Sequence, residues 1–341
     1  MKLVSIIIPM YNSESFIFNT LELISKQTYP NFEVIIVDDC SRDNCYKICK
    51  EFTLTHSGFH LYQNEENKGI CYTRNYGLSL AKGDYIVFCD DDDEITPNLI
   101  SDNVSLLEKH DASFVKFGRS LIDVDKDGNI VSEISSKITD ELIFENHELI
   151  DDFFEIKKTG VLINVWNGIY RKEIIEKNNL CFDTAMKFGS EDAKFSLEYL
   201  LASKKLVINP NNYYIHYRRV NSSTSKQFNM NKINSLVETA KTESLIWDRI
   251  HNEIEVICAK NAYVINIIVL QLLNENCSYS NHKKIQIIKK VSKENHLQYS
   301  LNSKLLIGLF KKSRKQFVFS ILMKLKCYAM VLRILSKYSI N

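Results

Sequence analysis

Proline and glycine are scarce, at four and ten in 341 residues. That excludes a collagen-like or low-complexity Pro/Gly chain and leaves an ordinary globular composition, 45% apolar and 25% charged. Paired cysteines are missing: there are nine, an odd number, with no CxxC among them. The spacing argues against a zinc site or a disulfide framework. Several cysteines sit inside apolar runs, where they act as small hydrophobes suited to a reducing cytoplasm. Long hydrophobic runs are missing as well. The most apolar stretch, 262–273, is short for a membrane span and interrupted by Asn266 and Gln271. The opening run Met1–Pro9 is too short for a signal peptide and lacks a small-residue cleavage site, so it is expected to be a first strand. A dominant charge of one sign is also absent. The net charge of +1 points to no nucleic-acid partner. Neither GxxxxGK[ST] nor a GxGxxG after the first strand occurs, which disfavours a P-loop NTPase and a Rossmann dehydrogenase.

The first 120 residues alternate two periodicities. Short apolar runs at 4–8, 32–37, 59–63, 85–89 and 112–117 predict strands. Helices are predicted between them: from a Ser13-Glu14 cap to about Lys26, near 44–53, at 70–81 ended by Lys82-Gly83, and at 97–109. Strands apolar throughout and separated by helices predict an α/β fold, a mostly parallel sheet with helices on both faces. From about Ser225 the pattern is helical. The expected division is a catalytic domain at 1–224 and a helical C-terminal region at 225–341.

Ligands of such sheets bind at the carboxyl ends of the strands. Two strands here run straight into acid, at Asp38-Asp39 and at Asp90-Asp91-Asp92-Asp93. A turn after a strand needs one or two aspartates, not four. Four adjacent carboxylates repel one another, and a divalent cation relieves that repulsion. Mg²⁺ or Mn²⁺ takes one or two such carboxylates together with substrate phosphates, which points to a nucleoside-diphosphate substrate.

Five blocks carry a resemblance in one order. They are Val4–Asn12 with Gln27-Thr28 and Val37–Ser41; Asn67-Lys68-Gly69 with Thr73–Gly77; Gly83–Asp93; Trp166–Arg171; and Gly189-Ser190-Glu191-Asp192. Together they resemble the family 2 glycosyltransferases of GT-A fold, of the bacterial surface-polysaccharide type, over roughly residues 1–225. The resemblance implies inverting transfer from a nucleotide sugar, most often a UDP-sugar, with Mn²⁺ or Mg²⁺ as cofactor. Residue by residue, it implies that Pro9 and Tyr11 line the base pocket and Asp39 bonds the uracil. Arg74 lies near the nucleotide and diphosphate, and Asp90 and Asp91 face the ribose and donor sugar. Asp92 binds the metal, and Asp192 is the catalytic base. The four-aspartate run admits two DxD registers. Spacing to Phe88 and Pro97 favours Asp90 with Asp92, and Asp91 with Asp93 stays open.

Inversion needs a general base on the opposite face of the sugar from the leaving diphosphate, and Asp192 at a helix start suits that. The Glu191-Asp192 pair also suits a helix N-terminus for purely structural reasons. His216 can complete the metal shell, or hold the diphosphate with Arg218 or Arg219, or be a structural histidine in an aromatic strand. Trp166 can stack on a sugar face or fill the core.

From Leu301 to Asn341 there are nine Lys or Arg and no Asp or Glu, leaving about −8 for the rest. The stretch 304–337 interleaves apolar and basic residues. It predicts a basic amphipathic helix that contacts a membrane surface, packs on the catalytic domain or joins a homo-oligomer. A lipid-linked or glycan acceptor, and a site peripheral to the inner face of the cytoplasmic membrane, follow from the resemblance. The rivals are a sugar-nucleotidyltransferase, which wants a glycine- and basic-rich phosphate loop that Pro9–Ser13 is not, and a degenerate sugar-binding scaffold.

Overall fold

The computed structural model describes residues 1–145, 148–186, 189–219 and 228–338. It divides into two compact units, one of residues 1–187 and 191–223, the other of 188–190 and 224–341.

The first unit is built on one ten-stranded sheet. Its strands are β1 (Val4–Met10), β2 (Phe32–Asp38), β3 (Phe59–Gln63), β4 (Tyr85–Phe88), β5 (Glu94–Ile95), β6 (Phe114–Val124), β7 (Ile130–Ser135), β8 (Leu142–Glu145), β9 (Gly168–Arg171) and β10 (Lys205–Arg219). The order is β3-β2-β1-β4-β9-β6-β10-β5, with β7 on β6 and β8 on β10. The half made of β3, β2, β1 and β4 is parallel, with Ile6 beside Val34 and Val87.

β1 is buried along its whole length, as a central parallel strand must be. On one face, Val4, Ile6 and Ile8 pack in a core with Ile17, Leu21 and Ile24 of helix α1 (Ile17–Ser25). The same core takes Cys45, Cys49 and Phe52 from α2 (Cys45–Thr55). On the other face α3 (Ile70–Leu80) lies close enough that a Cβ on its Gly77 would stand 2.5 Å from Ile7 Cγ2.

Beyond β4 the sheet departs from the mostly parallel expectation. β9 runs antiparallel to β4 and β6, and β7, β8 and β5 join antiparallel too, while β6 and β10 are parallel. Strand β6 runs past the predicted end at Phe117 because β10 and β7 both pair along it. β10 shifts register at Asn209–Tyr214, and beyond the shift it pairs β5 through Tyr214–Ile95. The acidic run thus spans from β4 to a strand held by β10.

Helix α1 starts at Ile17, later than the predicted Ser13-Glu14 cap. Glu14 is drawn elsewhere: its carboxylate accepts the Asn44 N–H and Nδ2 at 2.9 Å at the start of α2. The helix after Pro97 starts at Leu99, for which Thr96 supplies the first carbonyl.

The second unit is helical. Five of its helices start on a side-chain cap, at Asn229, Asn252, Ser280, Asn302 and Ser313. The single amphipathic helix predicted for 304–337 is instead three, Ser303–Lys312, Arg314–Lys324 and Tyr328–Tyr338. The Ser313 cap makes the first break, and Lys326 at φ +58° lies in the second. Leu305 and Leu309 bury against Ile257. Among the described residues no helix is long and apolar enough to cross a membrane.

Gly83 sits flush against β1, where a Cβ would meet Ser5 N at 2.6 Å and the Leu3 carbonyl at 2.9 Å. Backbone atoms cannot swing aside as a side chain can. Gly83→Ala should therefore lower the unfolding free energy by about 1–3 kcal/mol in a urea titration. A change within about 0.5 kcal/mol would show that the β1 edge yields.

Candidate active site

The carboxyl ends of β2 and β4 bring the two acidic turns to one rim. Asp38, fully buried, accepts the Gln63 Nε2 at 2.7 Å and the Ser41 hydroxyl and N–H, as a turn aspartate does. Asp39 is 4% exposed and does more. It accepts the backbone N–H groups of Lys68 and Gly69 and the Asn64 Nδ2, each at 2.8 Å. A carboxylate has about four lone-pair directions, so one remains. Asp39 thereby pins the loop that opens α3, where Gly69 takes φ +86°.

That loop aims Arg74. Its guanidinium is 1% exposed and fixed on three carboxylates: Asp192 at 2.6 Å, Asp90 at 3.0 Å and Glu191 at 3.5 Å. Phe182 closes one side, with its ring centre 5.2 Å away. Among the described residues, Arg74 Nε and Glu191 Oε2 are buried there with no hydrogen-bond partner. Asp192 stands in the first turn of the helix Glu191–Ala202 and accepts the Val165 N–H at 3.3 Å. The block expected near the diphosphate and the block expected to hold the base therefore meet on one guanidinium.

The four aspartates point four ways. The Asp90 N–H donates to the Tyr214 hydroxyl at 2.9 Å while its carboxylate takes Arg74. Asp91 accepts the Tyr11 N–H at 2.9 Å. Asp92 takes Arg219 Nη1 at 2.5 Å, and its carbonyl accepts Nη2 at 3.0 Å. Asp93, fully buried, lies 2.8 Å from His216 Nδ1 and accepts the Tyr217 N–H at 3.0 Å.

Ligand atoms of Asp90, Asp93 and His216 all lie within 4.8 Å of one another. Two carboxylate oxygens and one imidazole nitrogen at that spacing suit a divalent cation. This grouping departs from both predicted registers, because it joins Asp90 to Asp93 while Asp92 turns to Arg219. Residual repulsion supports the fit. Burial, and next the neighbouring aspartate, push Asp91 and Asp92 up to about 7. Burial also raises Asp93 despite His216. His216 itself is raised: burial opposes its charge, and the Asp93 hydrogen bond and charge outweigh that.

The other predicted residues divide. Trp166 is 2% exposed, stacked on Tyr214 at 4.3 Å and His216 at 5.2 Å, so it backs the histidine and has no face free for a sugar. Arg218 pairs with Asp123 at 2.7 Å, apart from the acidic run. Pro9 is buried in β1 beside Val37, and Tyr11, 44% exposed, follows at the strand end.

Two groups went unread in the sequence. Tyr214 shares a strand face with His216 by the two-residue alternation, which was available as a signal. Lys116 is fully buried, with Nζ 2.5 Å from the Asn164 carbonyl and 2.8 Å from the Tyr170 hydroxyl. Tyr170 in turn donates to the Val165 carbonyl at 2.9 Å. Lys116 thus braces the loop whose Val165 N–H holds Asp192, and burial keeps its amine well below the usual lysine range. A lysine inside the apolar run Phe114–Phe117 was the only hint.

Burial, reinforced by Asp192, lifts Glu191 from 4.5, its value in the unfolded chain, to about 7. A carboxyl raised in the folded state holds its proton more tightly than the unfolded chain does. Stability therefore falls as pH climbs between roughly those two values. Glu191→Gln removes that cost. Its urea-unfolding free energy should match the parent near pH ~4 and exceed it above pH ~7.5. Loss of stability at the higher pH would instead make the Glu191 charge a needed partner of Arg74.

Comparison with known proteins bears on the family and the fold. The sequence profile of Glycosyl transferase family 2 matches residues 5–177. Glycosyltransferase GlyG of Streptococcus pneumoniae serotype 4 is 30% identical over 242 residues, 70% of this chain and 78% of its own. The uncharacterized glycosyltransferase EpsJ of Bacillus subtilis is 27% identical, over 65% of this chain and 63% of its own. The crystal structure of Staphylococcus aureus TarS superposes with TM-score 0.62 at 20% identity, over 99% of this chain and 55% of TarS. A 1–349 fragment of TarS, solved with UDP-GlcNAc, gives 0.57 at 20% identity, over 99% and 91%. These two show a shared fold. With the family profile over half its length and GlyG over more, this chain belongs to glycosyl transferase family 2 and is a glycosyltransferase.

Proposed function

We propose that the protein moves a sugar, with inversion, from a UDP-sugar to a hydroxyl of a glycan or lipid-linked acceptor in cell-surface polysaccharide assembly. The observation that carries it is Arg74, which joins Asp90 of the acidic strand end to Asp192 in one buried network. A donor-side carboxylate and a proton acceptor held by one rigid cation are what in-line displacement asks for.

In this account Pro9, Tyr11 and the remaining lone pair of Asp39 receive the uracil. Asp90 and Asp91 flank the ribose and donor sugar. Asp90, Asp93 and His216 would hold Mn²⁺ or Mg²⁺, with Asp92 beside them. When bound, the cation offsets the charge that gathers on the departing diphosphate. Asp192 takes the acceptor hydroxyl proton as that oxygen bonds the anomeric carbon. The bond from that carbon to the diphosphate oxygen breaks, and its electron pair leaves with UDP. Burial raises the Asp192 pKa, the Arg74 charge opposes that rise, and the Val165 N–H orients the carboxylate. Support for the donor comes from the TarS fragment crystallised with UDP-GlcNAc. Support for the setting comes from TarS as a whole, a poly(ribitol-phosphate) beta-N-acetylglucosaminyltransferase, 28% identical over 66% of this chain and 37% of its own. The chain spans under two thirds of several such relatives, including 31% of GlyA. Contact with the inner face of the cytoplasmic membrane through the basic C-terminal unit belongs to the same proposal.

Hydrolysis of a panel of UDP-sugars with Mn²⁺, abolished by EDTA, tests the activity. Asp192→Asn should bind UDP as the parent does and lose about 10²–10⁴-fold in transfer. Asp93→Asn should lose metal-dependent UDP binding. Full activity in the first variant would remove Asp192 as base, and unchanged binding in the second would return the metal to Asp92.

A further inference from the structure

The second unit contains a cavity of about 500 Å³. Four lysines line it, Lys289, Lys293, Lys324 and Lys326, and no acidic residue does. They come from two places: the end of the helix Asn281–Val291 with the residues after it, and the end of the helix Arg314–Lys324 with the turn before Tyr328–Tyr338. Among the described residues none of the four makes an ion pair. Lys324 Nζ donates to the Leu301 carbonyl at 2.9 Å, and Lys289, Lys293 and Lys326 are exposed.

Four like charges around one opening cost free energy unless an anion joins them. The floor is apolar, made by Val264, Leu297 and Phe319, and Tyr299 and Tyr328 line it too. Leu325, between two of the lysines, is 65% exposed, and Met330 in the next helix is 54% exposed. Neither lines the cavity; they stand on the turn and helix beside its lysines, where a free anion has no use for exposed apolar side chains. A lipid surface does: apolar side chains enter the acyl boundary while lysine ammonium groups stay at headgroup level.

We propose that this cavity binds the phosphate headgroup of an anionic membrane lipid, with Leu325 entering the bilayer beside it. The proposal rests on the membrane-facing part of the function above and gives it a site. It also places that contact in a turn between two helices, where the sequence suggested the face of one long helix.

The test is co-sedimentation of the full chain with vesicles. Binding is expected to equimolar phosphatidylcholine–phosphatidylglycerol and not to phosphatidylcholine alone. The triple variant Lys289→Gln, Lys293→Gln, Lys326→Gln should bind the anionic vesicles about tenfold or more weakly. A control with the same charge change, Lys47→Gln, Lys50→Gln, Lys82→Gln, should bind as the parent does. Leu325→Ser should weaken binding without altering charge. Equal loss in both triple variants would reduce the effect to bulk charge and overturn the site. Displacement from vesicles by inorganic phosphate at constant ionic strength, with Leu325→Ser binding the vesicles as tightly as the parent, would make it a free-phosphate site and overturn the lipid assignment. UDP-sugar hydrolysis by the first triple variant should equal the parent's. A parent that binds vesicles but turns over no donor would sink the transferase reading and leave this one standing.

Discussion

A buried guanidinium holding three carboxylates is the constraint on which the rest of this molecule depends. Arg74 is out of water, and burial alone would favour its neutral form; Asp192, Asp90 and Glu191 reverse that and hold it charged. A lone buried charge costs several kcal/mol, and the three carboxylates offset that cost although Arg74 Nε and Glu191 Oε2 stay unpartnered among the described residues. The geometry here is supplied from three elements. Helix α3 carries Arg74, the end of β4 carries Asp90, and the helix Glu191–Ala202 carries the other two acids. The close approach of α3 to β1 at Gly77, and the grip of Asp39 on the loop before α3, both serve to fix where the guanidinium stands.

The acidic run is solved differently, by dividing its charges. Tyr11 reaches Asp91 from the end of β1, while Tyr214, His216, Tyr217 and Arg219 reach the others from β10. The run thus lies where the parallel half of the sheet meets the antiparallel additions, and its β10 partners come from more than 120 residues away in sequence. Partnering is incomplete, since Asp91 and Asp92 still hold protons up to about 7. A divalent ion held there would favour the ionised carboxylates and offset their charge.

Much of this was legible beforehand. The strands β1 to β4 showed as apolar runs of the right length, and the acids at two strand ends marked the rim. The five ordered blocks carried the fold and the residues gathered on it. What stayed hidden had physical reasons. Spacing to Phe88 and Pro97 favoured Asp90 with Asp92, but it carries no sign of where each carboxylate turns: Arg74 takes Asp90, the Tyr11 N–H takes Asp91, and β10, whose register shift no local pattern reveals, takes Asp92 and Asp93. Trp166 looked equally like a sugar platform and a core ring, and only the stacked Tyr214 and His216 decide it. The antiparallel strands β5, β7, β8 and β9 are short or half-exposed, so their periodicity is weak. The division of the tail into three helices did have a signal: Ser313 is an N-cap residue inside what looked like one amphipathic run, and its hydroxyl accepts the Gln316 N–H.

The central claim is that one carboxylate, Asp192, takes the acceptor proton across a site held by Arg74, so that transfer occurs in a single displacement. The configuration of the product tests this most directly. With an α-linked UDP-sugar donor, proton NMR of the freshly formed glycoside should show the β anomer. A product of α configuration would mean retention, and would contradict both the single displacement and the role given to Asp192.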